Sequence, residues 1–222
     1  MPILSDRKAI VLITIAFLFT EAQGKELYKQ TIDWYTGRNS HPISFERTNE
    51  LASILTARGE IVGICVLGSF EQLKGNARKA QEYYFNAYSS GNLFRYAQFE
   101  PDVGHFFLGE YYMLADPIDP QKANEHYKKS ADLGFGPAMA SYGVNRLIGN
   151  GISTNRYEAK KYLIMGMGQD NPHSYYNFAI YLLSIAKDRK TTAKAYLEYA
   201  SYRGFKIADK ALEDWFTTEG KL

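Results

Sequence analysis

One cysteine, Cys65, stands in the 222 residues. A chain with a single thiol cannot close an internal disulfide, so its fold must hold by packing alone. Histidine is scarce too. His41, His105, His126 and His173 include no pair at i, i+3 or i+4, and neither HExxH nor CxxC occurs. Both absences argue against a metal centre. GxSxG and the phosphate-binding GxxxxGK-S/T loop are missing as well. GMGQDN, from Gly166, echoes a nucleotide loop but lacks its third glycine. Net charge is only +2, with no run of Lys or Arg, which excludes the basic strip of a nucleic-acid binder.

Cys65 itself sits in the apolar helical stretch IVGICVLG, where a small buried hydrophobe is the expected role rather than a nucleophile. Asp116 and Asp119 fall in the turn DPIDP, where capping accounts for them better than paired acid–base chemistry does. No catalytic residue, cofactor or metal is expected.

What the chain does have is aromatic side chains, 18 Tyr and 13 Phe, in an otherwise ordinary globular composition. Its first two dozen residues read as a separate object. Arg7 and Lys8 precede the uncharged apolar run Ala9 to Phe19, and Ala22 and Gly24 follow at the spacing of a signal-peptidase site. That run is too short for a membrane span, which needs roughly 20 apolar residues. Cleavage after Gly24, a mature chain starting at Lys25 and a periplasmic or secreted location are the expectations.

The remainder repeats. HYKKSADLGF, His126 to Phe135, is echoed by YLEYASYRGF, Tyr196 to Phe205. YYFNAYSSGN precedes them and YLIMGMGQDN lies between them, and an Ala stands three residues before each: Ala80, Ala123, Ala159 and Ala193. Those alanines are 43, 36 and 34 residues apart, a repeat with variable loops. A second motif with small residues at fixed places lies upstream of each: IVGICVLG, DVGHFFLG, GPAMASYG and PHSYYNFA, with an incomplete fifth copy in KIADKALE. Each unit predicts two helices. Small residues let their backbones approach, large ones fill the facing grooves, and stacking buries a face that one pair cannot. Gly91, Gly134 and Gly204 end their helices in a left-handed cap.

In this register the chain resembles the Sel-one-like repeat (SLR) family, a relative of the tetratricopeptide repeat. Unit three carries Ala138, Gly143, Gly149, Gly151, Ile152 and Ala159 at family positions, with Asn155 in the place of Asp and Arg146 in that of Tyr. Unit two carries Leu108, Gly109, Tyr112, Lys122, Ala123, Tyr127, Ala131 and Gly134, but DPID replaces the Gly-x-Gly-Val turn. The resemblance runs from Ile61 to Phe216, through more degenerate first and fourth units. It implies an all-α fold, a right-handed α/α solenoid of about four helix pairs over 61–216. Capping helices are expected at 25–60 and a tail at 217–222.

The resemblance also implies a binding face lined by the first helix of each pair. In unit one it takes in Val62, Cys65, Ser69 and Gln72. Unit two contributes Val103, Phe106, Glu110 and Met113, unit three Pro137, Ala140, Val144 and Leu147, and unit four His173, Tyr176, Ile180 and Leu183. This mostly apolar track is either core or a groove for an apolar segment of a protein partner. As a groove, Phe106, Met113, Tyr176 and Leu183 would be its anchors. By resemblance, exported SLR proteins are adaptors, host-interaction factors or small immunity proteins that neutralise effectors such as lipases delivered by type VI secretion. The β-lactamase-like activity attached to some relatives goes with paired-cysteine repeats, which are missing here.

Overall fold

In a computed structural model the described residues are 23–33, 35–37, 43–185 and 187–217. The apolar run, the stretch containing His41 and the end of the tail lie outside them. The helices are α1 (residues 23–33), α2 (Phe45–Ala57), α3 (Ile61–Leu73), α4 (Ala77–Ser89), α5 (Asn92–Phe99), α6 (Pro101–Leu114), α7 (Pro120–Asp132), α8 (Gly136–Ile148), α9 (Arg156–Gly168), α10 (Pro172–Ile185), α11 (Lys190–Tyr202) and α12 (Ile207–Leu212). A π-helical turn, Glu213–Thr217, follows α12, and no strand occurs among the described residues. Four pairs, α3–α4, α6–α7, α8–α9 and α10–α11, stack in chain order, with α12 as a half-unit. The architecture is an α/α solenoid.

The small residues of the repeat sit where helices meet. A Cβ on Gly109 would lie 2.5 Å from the Tyr127 ring, one on Gly68 3.2 Å from Tyr83, and one on Gly143 2.9 Å from Leu163. These are the crossings inside three pairs. Between units, a Cβ on Gly63 would lie 2.5 Å from the Ala52 carbonyl of α2, and Gly104 meets Ala97 of α5. At such contacts even one methyl is felt. The repeated alanines Ala80, Ala123, Ala159 and Ala193 are all fully buried.

The helix ends follow the sequence too. Asp119 accepts the Lys122 amide at 3.0 Å and Asn155 the Glu158 amide at 3.0 Å, capping α7 and α9. Gly91, Gly134 and Gly204 have φ of 70°, 98° and 88°. The matching place in unit three is Asp170, at φ 55°, the one non-glycine with positive φ among the described residues. Its short polar side chain tolerates that conformation better than most, and it is used: Asp170 pairs with Arg203 and accepts the Tyr199 hydroxyl at 2.5 Å.

Two features depart from the expected scheme. The long interval between the first two units holds a short helix, α5, where only a longer loop was expected. Its Leu93 and Ala97 are buried against α6. In addition, the N-terminal segment does more than cover the first unit. Tyr35 packs on Phe70 and Phe107 in units one and two, at centroid distances of 6.1 and 6.3 Å. A few residues later the chain reaches unit four. The Ile43 amide donates to the Arg203 carbonyl at 2.7 Å, and the Arg203 guanidinium donates to the Gly37 carbonyl at 2.6 Å. The Ile43 carbonyl closes on the α-carbon face of Gly204, where any Cβ would collide. Phe45 packs against both hydrophobic clusters, one centred on the first two units and one on the last. Tyr35, Gly37, Ile43 and Phe45 thus contact both the first two units and the last.

Candidate functional site

The first helices share an inner surface. Residues from four of them, Gln72 of α3, Glu110 and Met113 of α6, Ala140, Ser141, Val144 and Asn145 of α8, and His173 and Asn177 of α10, line one cleft of about 270 Å³, with Tyr127 of α7. The second helices face outward and carry exposed rings such as Phe85, Tyr157 and Tyr202.

The expected track divides along its length. At the first-unit end it is core. Val62 and Cys65 are buried, and Tyr35 is hydrogen-bonded to Ser69 and lies within electrostatic reach of Cys65 and Glu110. Val103 and Phe106 are core as well, 1% and 4% exposed, and the Phe106 ring packs at a tilt against those of Phe135 and Tyr127. Both therefore lie in the core, Phe106 among the rings of Phe107, Tyr127 and Phe135. Met113, Val144, Leu147, His173, Tyr176, Ile180 and Leu183 remain half-buried, with part of each side chain reachable.

The cleft between these residues is more polar than an apolar groove. At its floor is Glu110, 7% exposed, which accepts the Tyr127 hydroxyl at 2.7 Å and a side-chain hydrogen bond from Gln72. Burial holds its carboxyl up at about 6. His173 lies with its ring 4.2 Å from that of Phe205, and desolvation pulls its imidazole down to about 4, so it is neutral near pH 7. Asn145 donates to Asn124 at 2.9 Å, and Asn124 in turn donates to the Asn150 and Pro120 carbonyls, both at 2.7 Å. This ties the wall of the cleft to the turn between α8 and α9.

A second polar cluster was not visible in sequence spacing. His105 and His126 are 21 residues apart, yet their Nδ1 atoms meet at 2.9 Å across the α6–α7 pair, and the His126 ring stacks on Tyr112 at 5.5 Å. Desolvation comes first, followed by each other's charge and that of Lys129, in holding His126 down at about 4; His105 is lowered by burial and Lys129. Aligning the second helices against the first would have found the pair, because it follows from their antiparallel register and not from i, i+4 spacing. Among the described residues no group of three or more His, Cys, Asp or Glu is placed to hold a metal ion, and no helix is long and apolar enough to cross a membrane. Cys65 is fully buried and its thiol is pushed up by desolvation.

No family model matches the chain, and no curated protein does. Among solved structures it is similar to a protective antigen of uropathogenic Escherichia coli displaying an SLR fold, at 19% identity and TM-score 0.49. The match covers 77% of this chain and 36% of that one. It is also similar to a Sel1 repeat protein from Oxalobacter formigenes, at 23% identity and TM-score 0.47, covering 57% of this chain and 98% of that one. Both neighbours are SLR proteins. This chain spans about a third of the length of the first. The repeat reading of its own residues stands on the helix pairs and glycine crossings described above.

Proposed function

We propose that this protein is a non-catalytic scaffold that holds a segment of another protein against the inner face of units two to four. The observation that carries this reading is the row of half-buried side chains, Met113, Val144, Leu147, Tyr176, Ile180 and Leu183, flanking a polar cleft on the face shared by the first helices. Large apolar and aromatic residues dominate the energetics of such contacts, and a row of them left partly open needs a partner to cover it.

Export is part of the proposal. It rests on Arg7 and Lys8, the run Ala9 to Phe19, and the small residues Ala22 and Gly24. For an exported scaffold of one repeat stack, the role we favour is that of an immunity protein neutralising a secreted effector or toxin such as a lipase. An adaptor in envelope assembly or host interaction is the other reading.

The test uses the chain from Lys25 as bait for periplasmic and secreted proteins of the source organism, together with the protein encoded beside it. The triple variant Met113→Ala, Tyr176→Ala, Leu183→Ala is the control. Stoichiometric capture of one effector that the variant loses, at unchanged helical content, supports the scaffold. Capture undiminished in the variant places the contact elsewhere and refutes it.

A further inference from the structure

We propose that the inner cleft receives a guanidinium group, the head of an arginine side chain on the partner segment, with the Glu110 carboxylate as its counter-ion. This rests on the scaffold reading and names the chemistry that the inner face selects.

The argument starts from charge. Of the ten side chains lining the cleft, Glu110 is the only one charged near neutral pH. None is Lys or Arg, and the His173 imidazole is kept neutral by its packing. No cation pairs with Glu110 among the ion pairs of the described residues. A carboxylate taken out of water without a counter-ion is costly, and neutral donors from Tyr127 and Gln72 offset only part of that cost. An arriving cation would offset the rest. An arriving anion would meet like charge in a poorly solvated place.

The shape and the remaining groups favour guanidinium. A cleft of about 270 Å³ has room for a slender side chain rather than a helix. Ser141, Asn177 and Gln72 come from three different helices and bring further oxygen acceptors to its walls beside the carboxylate. A planar group with five N–H donors matches several acceptors spread around it, and it is shed from water more readily than an ammonium. The methylene stem would lie along Met113 and Val144, and the partner's backbone would stay outside, on the half-buried row.

The test measures binding of n-butylguanidinium by NMR titration of the purified chain. N-butylacetamide serves as neutral analogue and butyrate as anion. Glu110→Gln keeps shape and neutral hydrogen bonding, and Asn177→Leu narrows the cleft without touching the carboxylate. The expected result is saturable, millimolar or tighter binding of butylguanidinium, with shifts confined to the lining residues. Glu110→Gln and Asn177→Leu should each weaken it at least tenfold, and butyrate should not bind. Equal binding of the acetamide, or butylguanidinium affinity unchanged in folded Glu110→Gln, overturns the inference. A captured partner whose affinity Glu110→Gln leaves unaltered, while the Met113, Tyr176, Leu183 variant abolishes it, would overturn the guanidinium assignment and leave the scaffold standing.

Discussion

Replacing Glu110 by Gln should make the protein more stable, and only above mildly acidic pH. The Glu110 carboxyl has its ordinary value of 4.5 in the unfolded chain and about 6 in the fold, raised chiefly by burial. Below pH 4.5 both states hold the proton and the group contributes nothing to the pH dependence. Between 4.5 and 6 the unfolded chain has released its proton while the folded one keeps it, so stability falls as pH rises. Above 6 the loss is complete. At about 1.4 kcal/mol per pH unit, the difference comes to about 2 kcal/mol. His126 and His173 act in the opposite direction, their folded values lying below the unfolded one, but they are present in both proteins and cancel in the difference. The assay is urea denaturation of wild type and Glu110→Gln at steps from pH 4 to pH 8. The expected gap widens by about 2 kcal/mol in favour of the Gln variant over that interval. A gap that stays constant with pH would refute the claim that the cleft floor holds a desolvated, uncompensated carboxylate.

Other consequences follow from the packing. Gly109→Ala drives a methyl into the Tyr127 ring and should cost ~1–3 kcal/mol, read as a drop in urea midpoint. Arg203→Ala strips the Gly37 carbonyl of its donor and leaves Asp170 without its ion pair. Because the Asp170 side chain is 42% exposed, the expected loss is roughly 1–3 kcal/mol rather than that of a fully buried pair, with faster proteolysis before Ile43. The His105–His126 contact gives stability that is present above pH 6.5 and is lost as pH falls toward about 4, since both rings must charge beside each other and Lys129. His126→Gln should flatten the acid limb of the pH–stability curve in that window.

The pairs and their contacts were legible because the repeat writes them at fixed spacing. Gly68, Gly109 and Gly143 each mark a crossing, and the glycines after α4, α7 and α11 mark the caps. Asp170 was legible as a repeat position but not as a left-handed one, because its conformation is held by Arg203 of the next unit. The binding track was only half legible. Its residues follow from register, but their exposure depends on what lies over them. That is the N-terminal segment, whose Tyr35 reaches Ser69 and Phe70 from outside the repeat. The polarity of the cleft was missed for a related reason. Positions 141 and 177 lie off the expected track, and they join Gln72 in one wall only when the first helices of the units come together. The bridge from Ile43 to Arg203 joins residues 160 apart, and no periodicity speaks of it.

That bridge ties the N-terminal segment to the last unit, across the length of the stack. Its direct measurement is amide hydrogen exchange at Ile43, whose N–H donates to the Arg203 carbonyl. Protection close to that of buried α11 amides such as Leu197 is expected, and it should fall in Arg203→Ala while α11 stays protected. Exchange at the rate of an unstructured peptide, with the helices intact, would contradict that tie.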